Sequence, residues 1–257
     1  ATGEVEAEMS LPPFLTRIHN AAGPLLGGIA ESELGEELAN SSLLLEIDGD
    51  LAAEPAHRAA YLLAANLGAR LYPRLSLDGP DKLVAKAAEA ASSINPTCEF
   101  GQPQGKTMTL SWRGGEASAE RVTVAARGWS LGLDGGSHKA GPAATPAALA
   151  AATLGIGELF RALFATRLPH GRTRPQPFSL DLLSLESQGD SPPAPEEVEI
   201  GTVHLAGCGA IGQAFVMTLR ELPVIGTLVA VDHEAIEEGN LQRYLLAGAE
   251  DVGTAKP

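Results

Sequence analysis

Basic residues are scarce. The 257-residue chain has 18 Lys and Arg against 32 Asp and Glu, a formal charge of −14 and a pI near 4.8. That balance excludes broad electrostatic binding to nucleic acid or to an anionic membrane, and it suits solubility or a basic patch on a partner. Cysteine is nearly absent. Cys98 and Cys208 cannot build a disulfide framework, and no Cys-x-x-Cys pair exists for a thiolate zinc site, so a reducing cytoplasm is expected. The six histidines (His19, His57, His138, His170, His204 and His233) show no i, i+4 pairing, so no metal site is expected. His204 alternates with apolar neighbours and is expected to be packed. No serine nucleophile elbow or Cys/His pair stands out. No apolar run approaches the length that spans a bilayer, and the acidic start, ATGEVEAEMS, is not a signal peptide. It also lacks an initiator Met, which implies processing or trimming. Aromatics are only 4% of a chain that is 44% apolar, so the core has to be built from Leu, Ala, Val and Ile.

What is present divides at GDSPPAPEEVE (189–199), a Pro-rich acidic stretch without periodicity. The expected organisation is a first domain over 1–188, a linker over 189–198, and a second domain beginning at 199. No internal repeat is evident. In the first domain, residues 41–48 read as a buried strand. Residues 54–71 read as a helix, with Leu62, Leu63, Leu67 and Leu71 at helical spacing and Gly68 near its end. Residues 72–78 read as a strand and the Ala-rich 81–94 as a helix. The segments 106–112 and 121–133 alternate like half-buried strands. A helix is expected over 145–168, with Thr145 as its cap and Pro146 at its first position, then a strand over 178–186. This order is that of an α/β layer fold.

The second domain opens with strand GTVHLAG, helix AIGQAFVMTLREL and strand GTLVAVD, a crossover unit. Between its first strand and helix, Gly207, Gly209 and Gly212 form G-x-G-x-x-G. Gly207 permits the tight turn, Gly209 lets phosphate approach the backbone, and Gly212 lets the helix pack close to the strand. Orphan amides and the helix dipole then favour an anion. Cys208 inside this loop is read as a small filler. Asp232 ends the second strand, where an acid accepts ribose hydroxyls. These features point to a nucleotide without separating NAD from ATP.

The sequence that follows separates them. Asp232 is followed by a second acid, Glu234, then Asn240-Leu241-x-Arg243, then Asp251-x-Gly253-x-x-Lys256. In this order the segment 200–257 resembles the ubiquitin-activating enzyme superfamily, the ThiF and MoeB type of adenylating enzymes. The resemblance implies a Rossmann-like adenylation fold and ATP–Mg²⁺ as the cosubstrate. It also implies a partner that is a ubiquitin-like or sulfur-carrier protein, whose C-terminal carboxylate is adenylated, and an assembly that is a dimer or pseudo-dimer. By the same resemblance Asp232 and Glu234 belong to the nucleotide site, Asn240 and Arg243 reach the phosphates, and Lys256 neutralises them from the other side. Arg243 and Lys256 are the expected catalytic cations. Glu234 stands where the family usually has Asp, and Tyr244 where it often has Gln. The chain ends at Pro257, ahead of the further strands, the magnesium-binding acid and the nucleophilic Cys that the family pattern implies. The expectation is a fragment, inactive alone.

The first domain resembles a degenerate copy of the same fold. Its turn DGDLAAEP carries Asp48 and Asp50 where phosphate-binding glycines are needed, so this copy should not take ATP. SINPTCEF resembles the family's Asn-Pro segment. An inactive copy of this kind can lend an Arg to the active site, and Arg161, Arg167, Arg172 and Arg174 are the candidates. Two other readings use the same residues. An NAD-dependent oxidoreductase would employ the glycines and Asp232 but leave Arg243 and Lys256 without a task. A non-catalytic scaffold would use both halves for assembly only.

Overall fold

The segment SSLLLEI at 41–47 forms the centre of the larger sheet, with Leu43, Leu45 and Ile47 wholly buried. The computed structural model describes residues 15–134, 139–168, 177–187 and 197–256. Helices α1 (Leu15–Ala22) and α2 (Glu31–Ala39) lead into β1 (Ser41–Glu46). A short α3 (Gly49–Ala53) and α4 (Pro55–Gly68) connect β1 to β2 (Arg74–Asp78). Next come α5 (Asp81–Ile94), β3 (Glu99–Phe100), β4 (Lys106–Ser111), β5 (Arg121–Arg127), β6 (Ser130–Leu133), α6 (Thr145–Leu163) and β7 (Phe178–Asp181). The order across this sheet is β3-β2-β1-β4-β5-β6-β7. The strands from β3 to β5 are parallel, while β6 and β7 are antiparallel. In register, Leu45 stands beside Leu77 on one side and Leu110 on the other. Such parallel strands need cover on both faces, which explains their unbroken apolar runs. This is the expected α/β, Rossmann-like architecture.

With few aromatics to fill space, close approach does the work. A Cβ on Gly68 would lie 2.5 Å from Leu43 Cδ2, and one on Gly155 would lie 2.4 Å from Leu110 Cδ1, so α4 and α6 sit against the strands only because both positions are glycine. Ala60, Ala64, Ala147, Ala148 and Ala152 are all buried to zero exposure. Tyr61 and Trp112 supply the main aromatic pair, with ring centroids 5.6 Å apart. The other tryptophan, Trp129, precedes β6.

Several boundaries differ from the sequence reading. α4 stops at Gly68, where the Tyr72 amide bonds back to the Gly68 carbonyl. Thr145 does not cap α6: the cap is Ala144, without a side-chain hydrogen bond, and Thr145 is already helical. β7 ends at Asp181 because its Oδ1 accepts the Leu183 and Ser184 amides and turns the chain. α6 ends at Leu163 but is long and apolar enough to cross a membrane by length and composition. No such run was expected; its leucines, Ile156, Phe160 and alanines make it apolar, and it is a core helix packed on α4, β4 and β5. The acidic turn after β1 folds into α3. At the carboxyl ends of β1, β2 and β4, Arg113 bridges Asp48 (3.0 Å) and Asp78 (2.5 Å).

The second unit consists of β8 (Val198–Ala206), α7 (Ala210–Arg220) and β9 (Val224–Val231). β8 and β9 pair in parallel as a separate two-stranded sheet. Its outer residues are open to solvent: Ile225, Val229 and Val231 are exposed, as is His204, contrary to expectation, because nothing described covers that face of β8. The chain beyond β9 packs back on the larger unit, against α5 and the turn that ends α4. Ile236, Leu241, Tyr244 and Ala247 belong to the same hydrophobic core, and Gly248 rests on the Ser93 carbonyl so closely that a Cβ would lie 2.8 Å from it. The expected linker, 189–198, lies almost wholly outside the described residues, as do Arg172, Arg174, His138 and His170.

Candidate functional site

The glycine turn links β8 to α7. Gly207 has φ +93°, a left-handed conformation that favours glycine, and its amide donates to the Val231 carbonyl at 2.8 Å. Gly209 caps α7. A Cβ on Gly212 would stand 2.3 Å from the Gly207 carbonyl oxygen, so only glycine lets the helix start so near the strand. At Gly209 the nearest atom to a notional Cβ is the Tyr244 hydroxyl at 3.9 Å, so the approach to this backbone is uncrowded. The first amides of α7 have no intrahelical acceptor and offer donors to an anion.

Asp232 ties the turn to the end of β9. Its Oδ2 accepts the Cys208 amide at 2.7 Å, and its Oδ1 accepts the His233 and Glu234 amides at 2.7 and 3.0 Å. These amides, that of Glu234 first, hold the carboxyl below the ordinary Asp range. Cys208 is buried, and burial pushes its thiol up, with Asp232 adding to the effect. Neither cysteine is in a disulfide.

The tail motif explains itself as a fold-back. Residues 234–236 pair with 253–256 in an antiparallel bridge: the Ile236 amide meets the Thr254 carbonyl at 2.8 Å, and the Lys256 amide meets Glu234 O at 3.0 Å. Asp251 Oδ2 caps the Gly248 amide at 2.8 Å, and Gly253 turns at φ +89°. This return carries the Lys256 side chain back to the glycine turn. Its ammonium ion-pairs with Glu234 and stands 5.2 Å from the Tyr244 ring centre. The Glu234 carboxylate, and after it the Tyr244 hydroxyl, raise the Lys256 pKa. The Arg243 guanidinium lies 5.5 Å from the same ring. Asn240 Oδ1 accepts the Glu237 amide at 3.0 Å and shapes the turn that presents Arg243. The glycine turn, Asp232, Glu234 and Lys256 are therefore linked in space through Cys208 and Tyr244, and Arg243 adjoins them at the Tyr244 ring.

Two participants were missed or undervalued. Gln213 donates to the Cys208 carbonyl (3.2 Å) and accepts the Leu246 amide (2.9 Å), bracing the turn against the cationic loop. Its signal was its place directly after the third glycine. Tyr244 departs from the family pattern, yet its ring lies within 5.5 Å of both cations. Of the arginines expected to come from the first domain, Arg161 pairs with Glu158 and Arg167 with Glu33. Among the described residues no group of three or more His, Cys, Asp and Glu is placed to hold a metal ion.

Comparison with known proteins decides the family. Residues 193–257 match the ThiF family, and residues 42–180, more than half of the chain, match the BilD N-terminal domain. The chain belongs to the BilD N-terminal domain family, within the ThiF/MoeB-like superfamily. A curated relative, the uncharacterized protein y4jF of Sinorhizobium fredii (strain NBRC 101917 / NGR234), is 31% identical over 263 aligned residues. The alignment takes in 96% of this chain and 50% of that protein, so the chain spans half the length of its relative. The ThiF match over residues 193–257 points, at the level of that family, to adenylyltransferase-type chemistry. The BilD-type domain is thus the seven-stranded sheet, and the ThiF segment is the glycine turn with its cationic fold-back.

Proposed function

We propose that the chain is the nucleotide-binding part of an activating enzyme that adenylates the C-terminal carboxylate of a ubiquitin-like or sulfur-carrier protein with ATP–Mg²⁺. The observation that carries this reading is that the Tyr244 hydroxyl faces the uncrowded Gly209 backbone while the Arg243 and Lys256 charges both lie within 5.5 Å of the Tyr244 ring centre. In the reaction the carrier's carboxylate attacks the α-phosphorus, an acyl–oxygen–phosphorus bond forms, and the bond to the β-phosphoryl oxygen breaks as pyrophosphate leaves. Negative charge grows on the phosphates, and fixed donors that face it lower the barrier. The α7 amides and the Arg243 fork supply such donors. In this reading Lys256, whose side chain is 2% exposed and paired with Glu234, turns a remaining N–H to a phosphate oxygen when the nucleotide binds. Asp232 keeps lone pairs for ribose hydroxyls beside the amides it accepts. The uncrowded Gly209 backbone and the first α7 amides support the triphosphate reading; among the described residues the side chains form no magnesium site, so no step is assigned to the metal through this chain.

In the same reading residues 1–188 are an inactive copy whose crevice, bridged by Arg113, does not take ATP. The assembly is a dimer or pseudo-dimer, and the setting is cytoplasmic. Isothermal titration tests the proposal. ATP–Mg²⁺ should bind, and Arg243→Ala should weaken it roughly 10- to 100-fold, the worth of a hydrogen bond between charged groups. Tight NADH binding instead identifies a redox site, and no nucleotide binding at all identifies a scaffold.

A further inference from the structure

Arg70 lies in the turn that ends α4, far in sequence from the glycine loop, and it is 2% exposed. No carboxylate meets it among the described residues. Its Nε and Nη2 donate to Asn66 Oδ1 at 3.2 and 2.9 Å, and Nη2 also donates to the Tyr244 carbonyl at 2.7 Å. Nη1 has no partner among the described residues. Burying a guanidinium without a counter-ion costs several kcal/mol, and an apolar side chain of similar volume would fill the space at no such cost. Burial alone lowers its pKa to about 10. What the guanidinium has that an apolar group lacks, besides its local bonds to Asn66, is the bond to Tyr244, the residue whose ring lies within 5.5 Å of both the Arg243 and the Lys256 charge.

We propose that Arg70 is a positioning residue: through the Tyr244 carbonyl it fixes the Arg243–Tyr244 corner against the glycine turn, so that α4 of the BilD-type domain sets the geometry of the cations in the ThiF segment. The proposal rests on the nucleotide-site reading above and gives the first domain a task within it. The arginine is not lent to the phosphates. It holds the backbone that carries the one that is. The Gly248–Ser93 contact and the burial of Leu241 and Ala247 in the shared core place the same loop against the same domain.

The test compares the full chain with Arg70→Met and Arg70→Lys by hydrogen–deuterium exchange and by ATP–Mg²⁺ titration. In Arg70→Met, amides of residues 240–248 should exchange about tenfold faster while β1, β2 and β4 are unchanged, as loss of one charged hydrogen bond predicts. ATP affinity should fall by about the same factor, with Arg70→Lys intermediate in both, because an ammonium can still donate to one carbonyl. Unchanged exchange at 240–248 overturns the proposal. So does faster exchange with unaltered ATP affinity. If Arg70→Met does not fold, Arg70→Lys decides, and wild-type exchange there counts against Arg70. If the wild-type chain binds no ATP, the adenylation reading falls, and exchange alone judges the Arg70 anchor.

Discussion

Asp232 closes the glycine turn by accepting three backbone amides, and its chemistry gives the turn a pH signature. The carboxyl is depressed below its ordinary value of 3.8 in the folded chain. A group whose folded pKa lies below its unfolded pKa stabilises the fold above the unfolded value, and that contribution is lost as pH falls through the folded value. The link between Cys208 and the end of β9 should therefore hold through neutral and mildly acidic pH and loosen only in strong acid. Carboxyl-detected NMR titration of Asp232 checks this, and a midpoint at or above 3.8 contradicts it. Single residues are also where the sequence spoke most clearly about the site. Gly207, Gly209, Gly212, Asp232, Asn240, Arg243 and Lys256 follow a fixed order along one short segment, so the motif was readable without tertiary information. Arg70 was not readable. Its partner is 174 positions away, and in sequence it is one more arginine at the end of a helix.

At the scale of elements, α6 offers an internal control on packing. It carries two glycines two residues apart. Gly155 is buried and would drive a Cβ to 2.4 Å from Leu110 Cδ1 and 2.9 Å from Val124 Cγ1, whereas nothing lies within 4 Å of Gly157. Replacing a helical glycine with alanine gains up to about 1 kcal/mol of propensity, and forcing a methyl into a filled core costs about 1–3 kcal/mol. Urea denaturation should show Gly157→Ala stabilised by up to ~1 kcal/mol and Gly155→Ala destabilised by ~1–2 kcal/mol net. Equal effects would mean that α6 does not sit on β4 and β5 as closely as described. Periodicity exposed the existence of these elements but not their ends. Local hydrogen bonds set the ends: the Gly68 carbonyl stops α4, and the Asp181 side chain stops β7. His204 was misread for a related reason. Alternation says which residues share a face, and only the neighbouring elements say whether that face is covered.

At the scale of the molecule, two sheets of unequal size share one core through the loop that follows β9. Composition foretold how the larger is built, since a chain poor in aromatics must bring alanine-lined helices close. It did not foretell that Leu241, Tyr244 and Ala247 would join that core, because docking depends on shape. Both tryptophans, Trp112 and Trp129, fall within the seven-stranded part, and residues 197–256 contain none. Indole emission is therefore a private reporter of one half. Nucleotide added at the glycine turn should leave that glow unaltered unless the strain passes along the Arg70 tether, and quenching that disappears in Arg70→Met would make the two tryptophans an optical readout of conversation between the halves.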